Sequence, residues 1–509
     1  MRTNSFFAFP WYVPLLALYP PLALLAHNLG QVDTGAANRS LLISLLVALL
    51  LLVPLKKLSK DLHKAGLIVA LLAILFFSYG HIYTVIKNVQ FAGFLIGRHR
   101  YLVVVWLGLA GFSIWWILGK LQAVTFTKTL NLIALLWIFF PLTQIISFHI
   151  KNAGYARMRP TETEQSADII SVAENLPDVY YIILDGYGRS DVLLKNFNYD
   201  NSAFLGDLEN LGFYVAECSQ SNYSKTDLSL ASTLNFDYIN NINENLTPDN
   251  TDRTPLWDLV KHSLVAEKFR NMGYKVRSFE TGFDFTQINP ADTFYITPRR
   301  GFNDFENFLL KTTMAIILDD AGLFSRFQLT EEDYKYGRIL FTLNTLEEIP
   351  QLVGPDFVFV HLLVPHQPFV FGPDGEQLVV QKTGSNNDEY YTDENYVSGY
   401  RNQAIFISNR ITQVAEKIIE SSSTPPIIII QGDHSPSHFS DVDRMGILNA
   451  YYFPEGQPGF YSKITPVNTF RLLFSSYFDA GYPLLEDMSY YSSYPNAYQY
   501  EEIPNECEQ

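Results

Sequence analysis

The sequence predicts a helical transmembrane bundle followed by an α/β domain with a mostly parallel central sheet covered by helices. Three observations carry that expectation. Of 509 residues, 36 are Lys or Arg and 52 are Asp or Glu, but residues 1–150 hold 11 basic residues against two acids, Asp33 and Asp61. The remainder therefore carries a net charge of -25, and two parts so unlike in charge belong to different solvents. The first part contains five long apolar runs, whereas the second alternates short strand-like and longer helix-like segments.

Taken in order, the apolar runs are Phe6–Ala26, Ser40–Leu55, Ala65–Ile86, Tyr101–Gly119 and Leu130–Ile150. A bilayer core needs about 20 apolar residues in a helix, which four of them meet and the second approaches. Trp11, Trp106, Trp115, Trp116 and Trp137 lie in these runs, where indoles serve as interfacial anchors. The expectation is a five-helix transmembrane domain over 1–150, a polar linker over 151–177 and a second domain over 178–509. Loop charge counts seven basic residues on one side of five spans and four on the other, which leans toward an extracytoplasmic second domain. Adding Lys151, Arg157 and Arg159 levels the count. A transporter is a weaker reading, because the spans hold few ionisable groups beyond His81 and His149.

In the second domain the strand-like runs are Val179–Leu184, Phe213–Ala216, Tyr274–Phe279, Phe357–Leu363 and Ile427–Gln431. Several are unbroken β-branched or aromatic runs, as strands buried on both faces require. Helix-like segments separate them, among them Ser202–Leu211, Pro255–Met272 and Tyr400–Ser421. The overall charge of -16 excludes nucleic acid as a main partner. Two cysteines exclude a disulfide scaffold and a four-Cys zinc site, and the sequence leaves open whether Cys218 and Cys507 pair.

Ligands of open α/β sheets bind beyond the carboxyl ends of strands. There the sequence places Asp185 after the first strand, His361 and His366 at the fourth, and Gly432, Asp433, His434 and His438 at the fifth. Carboxylate oxygen and imidazole suit a divalent cation. The segment Ser219–Asn235 adds hydroxyls at Ser221, Ser224, Thr226, Ser229, Ser232 and Thr233, with a helix starting near Ser224 or Thr226. A hydroxyl at a helix N-terminus beside a cation suits attack on an anionic ester, and spacing does not choose among these hydroxyls.

Five pieces, YYIILDGYGRSDVL (180–193), SNYSKTDLSLASTLN (221–235), VFVHLLVPHQPF (358–369), IIIIQGDHSPSH (427–438) and ITPVNTFRLLFSSYF (464–478), together resemble the membrane-anchored, sulfatase-like branch of the alkaline phosphatase superfamily. That branch includes lipoteichoic acid synthases and lipid A phosphoethanolamine transferases. The resemblance implies a sulfatase-like catalytic domain holding one divalent ion (Mn, Zn, Mg or Ca), with Asp185, Thr226, Asp433 and His434 as ligands. It further implies Thr226 as nucleophile, His366 at the substrate phosphate or the leaving group, His361 and His438 near the substrate, and Arg189 either at the anionic group of the substrate or paired with a carboxylate of the domain. The implied reaction is transfer or hydrolysis of a phospho-group on an envelope or lipid-linked substrate, with membrane lipid as partner. Hydrolysis of a sulfate or phosphate monoester and a non-catalytic envelope scaffold are the competing readings. Two departures stand out: Ser435 follows Asp-His where the family has glycine, and Cys218 lacks the C/S-x-P-x-R setting that formylglycine sulfatases need.

Overall fold

The computed structural model describes residues 9–29, 34–91, 94–95, 97–119, 121–155, 176–243, 246–288, 291–298, 301–324, 330–378, 393–436, 440–454, 456, 459–493 and 495–507. It forms two compact units. One comprises Met1–Gly154 with Arg299–Leu329, the other Tyr155–Pro298 with Thr330–Gln509. The second domain expected over 178–509 therefore contains an excursion, 299–329, that packs with the membrane helices.

The membrane unit is built on α1 (Tyr12–His27), α2 (Asn38–Ser59), α3 (Leu62–Ile86), α4 (His99–Gly119) and α5 (Ala123–Tyr155). Among the described residues, four helical stretches are long and apolar enough to cross a bilayer: Thr34–Ser59, Leu62–Ile86, His99–Gly119 and Ala123–Ile150. The first expected run, Phe6–Ala26, holds the shorter helix α1, and its start lies outside the described residues. α1 has 16 residues, about 24 Å at 1.5 Å per residue, against a hydrocarbon core of about 30 Å. Asp61, one of the two acids, caps α3 by accepting from the backbone N–H of His63 (2.8 Å) and Lys64 (3.3 Å). Trp106 is buried and its indole N–H donates to the Leu75 carbonyl at 3.0 Å, so it packs between helices instead of anchoring at an interface.

The excursion contributes the helices Asp304–Thr312 and Ile316–Asp320 to this unit. Asn303 and Glu306 form a capping box, and the buried Glu306 carboxylate also pairs with Arg39. The Met314 N–H donates to the Phe76 carbonyl at 2.8 Å. His99 bridges the Tyr79 hydroxyl (2.9 Å) and the Asp320 carboxylate (2.7 Å). Backbone meets backbone at Gly80, where an added Cβ would lie 2.3 Å from the Thr312 carbonyl carbon.

The second unit is organised by a seven-stranded sheet. Its strands are β1 (Val179–Leu184), β2 (Tyr214–Val215), β3 (Lys275–Phe279), β4 (Thr293–Tyr295), β5 (Asp356–Leu362), β6 (Ile427–Gly432) and β7 (Asn449–Tyr452), in the order β2-β7-β6-β1-β5-β3-β4. The four central and outer pairings from β6 through β4 are parallel, and β7 joins β6 and β2 antiparallel. Val179, Tyr181 and Ile183 face one apolar core, while Tyr180, Ile182 and Leu184 face the other. That two-sided burial explains the unbroken apolar runs. The expected helix Pro255–Met272 is two helices, Thr254–Lys261 and Leu264–Asn271, because Ser263 accepts from the Ala266 N–H and starts a new one. The expected helix Tyr400–Ser421 begins earlier, at Asp393.

Register aligns the carboxyl ends of three strands. Leu184 of β1 lies opposite Leu362 of β5 and Gly432 of β6, and Ile183 lies opposite His361. The residues following β1 and β6 therefore leave the sheet side by side.

The backbone contact at Gly80 leads to a test. Gly80→Val should lower the melting temperature of the detergent-solubilised protein by several degrees, matching the roughly 1–3 kcal/mol typical of overpacking. An unchanged melting temperature would contradict the close approach.

Candidate active site

Asp185 leaves β1 fully buried, and neither of its carboxylate oxygens has a hydrogen-bond partner. The chain then turns through Gly186 at φ +76°, a left-handed conformation that glycine adopts without strain. The Gly186 N–H donates to Asp433 Oδ1 at 3.0 Å, which links the two strand ends directly. Asp433 Oδ2 is buried and without a partner. Gly432 matters for space: a Cβ there would stand 2.4 Å from the Tyr187 carbonyl oxygen, so only glycine lets the two loops approach.

His434 follows, with Nε2 3.4 Å from Asp433 Oδ2. Its Nδ1 lies 2.9 Å from the Ser435 carbonyl, a contact that requires the proton on Nδ1 and leaves the Nε2 lone pair facing the site. Asp185, Asp433 and His434 each offer a ligand atom, all within 4.8 Å of one another. Thr226 reaches the same point, with Oγ1 3.0 Å from His434 Nε2. It is the first residue of the helix Thr226–Leu234, beside unpaired backbone N–H groups. His361 sits behind the cluster, 3.2 Å from Asp185 Oδ2 but outside hydrogen-bonding geometry, with both ring nitrogens unpartnered.

Five orphaned polar atoms, on Asp185, Asp433 and His361, thus converge in a water-poor place. Burial of two carboxylates side by side is costly unless a cation compensates. Burial and the charge of Asp185 push the Asp433 carboxyl up to about 7. Burial also raises Asp185, but the imidazoles of His366, His361 and His434 outweigh it and hold that carboxyl below the ordinary range. Burial, reinforced by the Arg444 charge, holds His434 neutral. Hard oxygens with a neutral imidazole are the donor set of a divalent cation, and the residues fit one.

A cavity of about 290 Å³ opens over this cluster, lined among others by Thr226, His366, His434, Lys225, Arg444, Trp257 and Phe285. His366 belongs to the wall, and its Nδ1 meets the Gln367 carbonyl at 2.5 Å, leaving Nε2 bare. Burial lowers its pKa. Beneath it the buried Lys335 donates to the carbonyls of His366 and Pro368, which fixes the loop.

Three cations in the wall escaped the sequence reading, Lys225, Arg444 and Arg253, the last paired with Asp227. Arg444 is buried, donates through Nε to the Ser224 carbonyl, and has no carboxylate partner among the described residues. Lys225 directly precedes Thr226 and is pushed down to about 8 by burial and by the charges of Arg444 and Arg253. Its position inside the motif 221–235 was the available signal, whereas Arg444 stands in an irregular loop that no periodicity marks. Arg189, expected either at the substrate's anionic group or on a carboxylate of the domain, stands on the carboxylate and is not among the residues lining the cavity. Its guanidinium is taken by Asp191 (2.7 and 2.9 Å) and the Ser219 carbonyl (3.2 Å). His438 lies outside the described residues. Ser435 is not among the chain's positive-φ residues and donates to the Gly446 carbonyl, so this turn has no need of glycine.

Cys218 is bonded to Cys507, with a Cα–Cα distance of 5.5 Å. The thiol that a formylglycine sulfatase would oxidise is therefore not available at Cys218, and no cysteine is free among the described residues.

The domain so defined is an α/β fold carrying a buried cluster of two carboxylates, an imidazole and a hydroxyl at the carboxyl ends of its strands. Comparison with solved structures finds likeness of fold to the C-terminal periplasmic domain of EptC from Escherichia coli in complex with zinc. That match has 12% identity and a TM-score of 0.43, covering 66% of this chain and 95% of that one. The integral membrane lipooligosaccharide phosphoethanolamine transferase A from Neisseria meningitidis is similar at 12% identity and TM-score 0.35, covering 89% and 88%. The lipoteichoic acid synthase LtaP from Listeria monocytogenes is similar at 12% and 0.36, covering 68% and 81%. No family model matches the chain, and no curated protein does. At these identities and scores the likenesses assign no residue a role.

Without metal, the raised Asp433 carboxyl has a definite pH signature. A group whose folded pKa lies above its unfolded value stabilises below the unfolded pKa and loses that contribution as pH rises through the folded one. Chelator-treated protein should therefore melt at lower temperature at pH 8 than at pH 6. Asp433→Asn should flatten that slope, as should saturating divalent metal, and a slope that survives Asp433→Asn would refute the assignment.

Proposed function

We propose that the protein is a metal-dependent enzyme of the sulfatase-like branch, moving a phospho-group of an envelope or lipid-linked substrate through a threonine nucleophile. The observation that carries this reading is the meeting of Thr226 with Asp185, Asp433 and His434 in one buried point under a cavity. The chemistry of the cavity agrees: Lys225 and Arg444, beside the Asp227-paired Arg253, and the positive end of the helix Thr226–Leu234 supply positive potential for phosphoryl oxygens.

A divalent ion held by Asp185, Asp433, His434 and the Thr226 hydroxyl would lower that hydroxyl's pKa and neutralise developing negative charge. The chain's own residues do the rest. Thr226 Oγ1 gives up its proton as it forms the bond to phosphorus, the bond from phosphorus to the departing oxygen breaks, and that oxygen takes up a proton, leaving phosphothreonine and a free alcohol. Arg444 and Lys225 hold the equatorial oxygens, a contribution realised most strongly as charge builds. His366 serves the alcohols at the cavity wall. Its resting neutral state, with Nε2 bare, suits taking the proton of the second alcohol or water that frees the phospho-group from Thr226, and the protonated form suits the departing oxygen of the first step. Trp257 and Phe285, stacked at 5.7 Å, offer an apolar wall to the remainder of the substrate.

The disulfide supports placing this unit outside the cytoplasm, since such bonds persist in oxidising compartments. Membrane helices on the same chain would keep the site near lipid headgroups.

The test uses chromogenic phosphodiester, phosphate monoester and sulfate ester substrates side by side. Thr226→Ala should lower phosphodiester turnover by about 10³-fold or more, and Arg444→Ala should lower kcat/KM by about 10²-fold. Phosphodiester turnover retained by Thr226→Ala would remove the nucleophile.

A further inference from the structure

We propose that the segment Asp487–Cys507, fastened by the Cys218–Cys507 disulfide, is a brace that positions Thr226. The proposal deepens the reading of the site above and rests on it only where activity is measured.

Thr226 begins a helix, but the chain leading to it, Cys218–Lys225, contains no helix or named strand. Ser219, Ser221, Asn222, Tyr223 and Ser224 are nonetheless buried to 1% exposure or less. Buried backbone of this kind needs partners for every N–H and carbonyl, and its shape is set by whatever supplies them. One side is supplied by the 444–447 loop: the Ser221 N–H donates to the Met445 carbonyl at 2.7 Å, and the Ile447 N–H to the Ser219 carbonyl at 3.3 Å.

The other side is supplied by the segment 487–507. The Tyr490 N–H donates to the Asn222 carbonyl at 2.9 Å, and the Ser224 N–H donates back to the Tyr490 carbonyl at 3.2 Å. The Ser492 N–H donates to Ser224 Oγ at 3.2 Å, and the Asn222 side chain to the Met488 carbonyl at 2.8 Å. The Tyr223 ring is flanked by Tyr490 at 5.7 Å and Tyr500 at 5.3 Å. This segment folds back on itself, Tyr490–Tyr491 pairing antiparallel with Glu501–Glu502.

Both ends of the brace are tied down. At its start the Asp487 carboxylate accepts from the Thr465 N–H (2.9 Å), the Thr465 hydroxyl (2.7 Å) and the Asn468 side chain (3.0 Å). At its far end the disulfide joins Cys507 to Cys218, and the Asn505 side chain donates to the Cys218 carbonyl at 2.8 Å. The covalent tie thus lies eight residues before Thr226 in sequence, on the segment whose conformation sets where Oγ1 stands. Reactive groups displaced by about 1 Å can lose on the order of 10²-fold in rate without loss of binding.

The experiment uses the full chain in detergent. Cys507→Ser should lower kcat for a phosphodiester about tenfold while leaving KM within about twofold, since the brace meets the substrate-holding side chains only at Lys225, whose ammonium lies over the Tyr491 ring at 6.0 Å. Hydrogen exchange should show lost protection at the Ser224 and Tyr490 amides, with Ile183 and Ile429 in the sheet unchanged. Ser224→Ala, which deletes the Oγ contact with Ser492, should give a smaller fall of the same kind, and it decides the matter if Cys507→Ser fails to fold. Protection at Ser224 unchanged in the variants, or lost equally throughout the sheet, would overturn the proposal, as would kcat at the wild-type level. If the wild type turns over no phosphodiester, loss of protection confined to this segment supports the brace, and the reading of the site is what fails.

Discussion

The register of β1 against β6 is the constraint on which the site depends. Leu184 opposite Gly432 places Asp185 and Asp433 at one level, although they are far apart in the chain. Six consecutive pairs enforce that register, and shifting it by one residue would turn every side chain of a doubly buried strand to the wrong core. β5 on the opposite flank holds the same level and brings His361 beneath Asp185. The apolar cores therefore do more than stabilise: they set the distance between two carboxylates that would otherwise repel each other apart.

That repulsion is answered at several depths. Three imidazoles from two segments, His361 and His366 from one and His434 from the other, lie close enough to act on Asp185. The Gly186 N–H takes one oxygen of Asp433, while Ser221 donates to the Asp433 carbonyl and ties the loop to the segment before Thr226. What remains uncompensated lies beneath the cavity, whose wall carries His434 and the buried guanidinium of Arg444. In the proposed function these acids would take a cation and the guanidinium an anion.

Much of this was legible in the sequence. β1 falls on its expected bounds, and the strands carrying His361 and Asp433 fall within one residue of theirs, because a run such as Ile427–Ile430 has few alternatives in a soluble fold. Asp185, Asp433, His434 and Thr226 were legible since strand ends and a helix start are local features. Arg444 was not, because its place in the wall comes from a loop folded over the cavity, and Arg189 stayed open between two partners because a charge near a motif does not disclose which neighbour satisfies it. The short β7 and the break at Ser263 escaped because antiparallel edge pairing and a mid-run cap depend on tertiary partners. The pairing of Cys218 with Cys507 likewise belongs to the fold and not to spacing.

The excursion 299–329 has a practical meaning for anyone dividing the molecule. A fragment cut at the linker near residue 176 would carry Glu306 without Arg39, Asp320 without His99, and Phe305 and Leu309 stripped of the apolar neighbours that cover them. Such a fragment would expose a sticky handle and invite self-association for reasons unrelated to its sheet. The unit that carries the sheet is discontinuous in sequence, and a well-behaved version would have to be spliced from two stretches instead of trimmed from one.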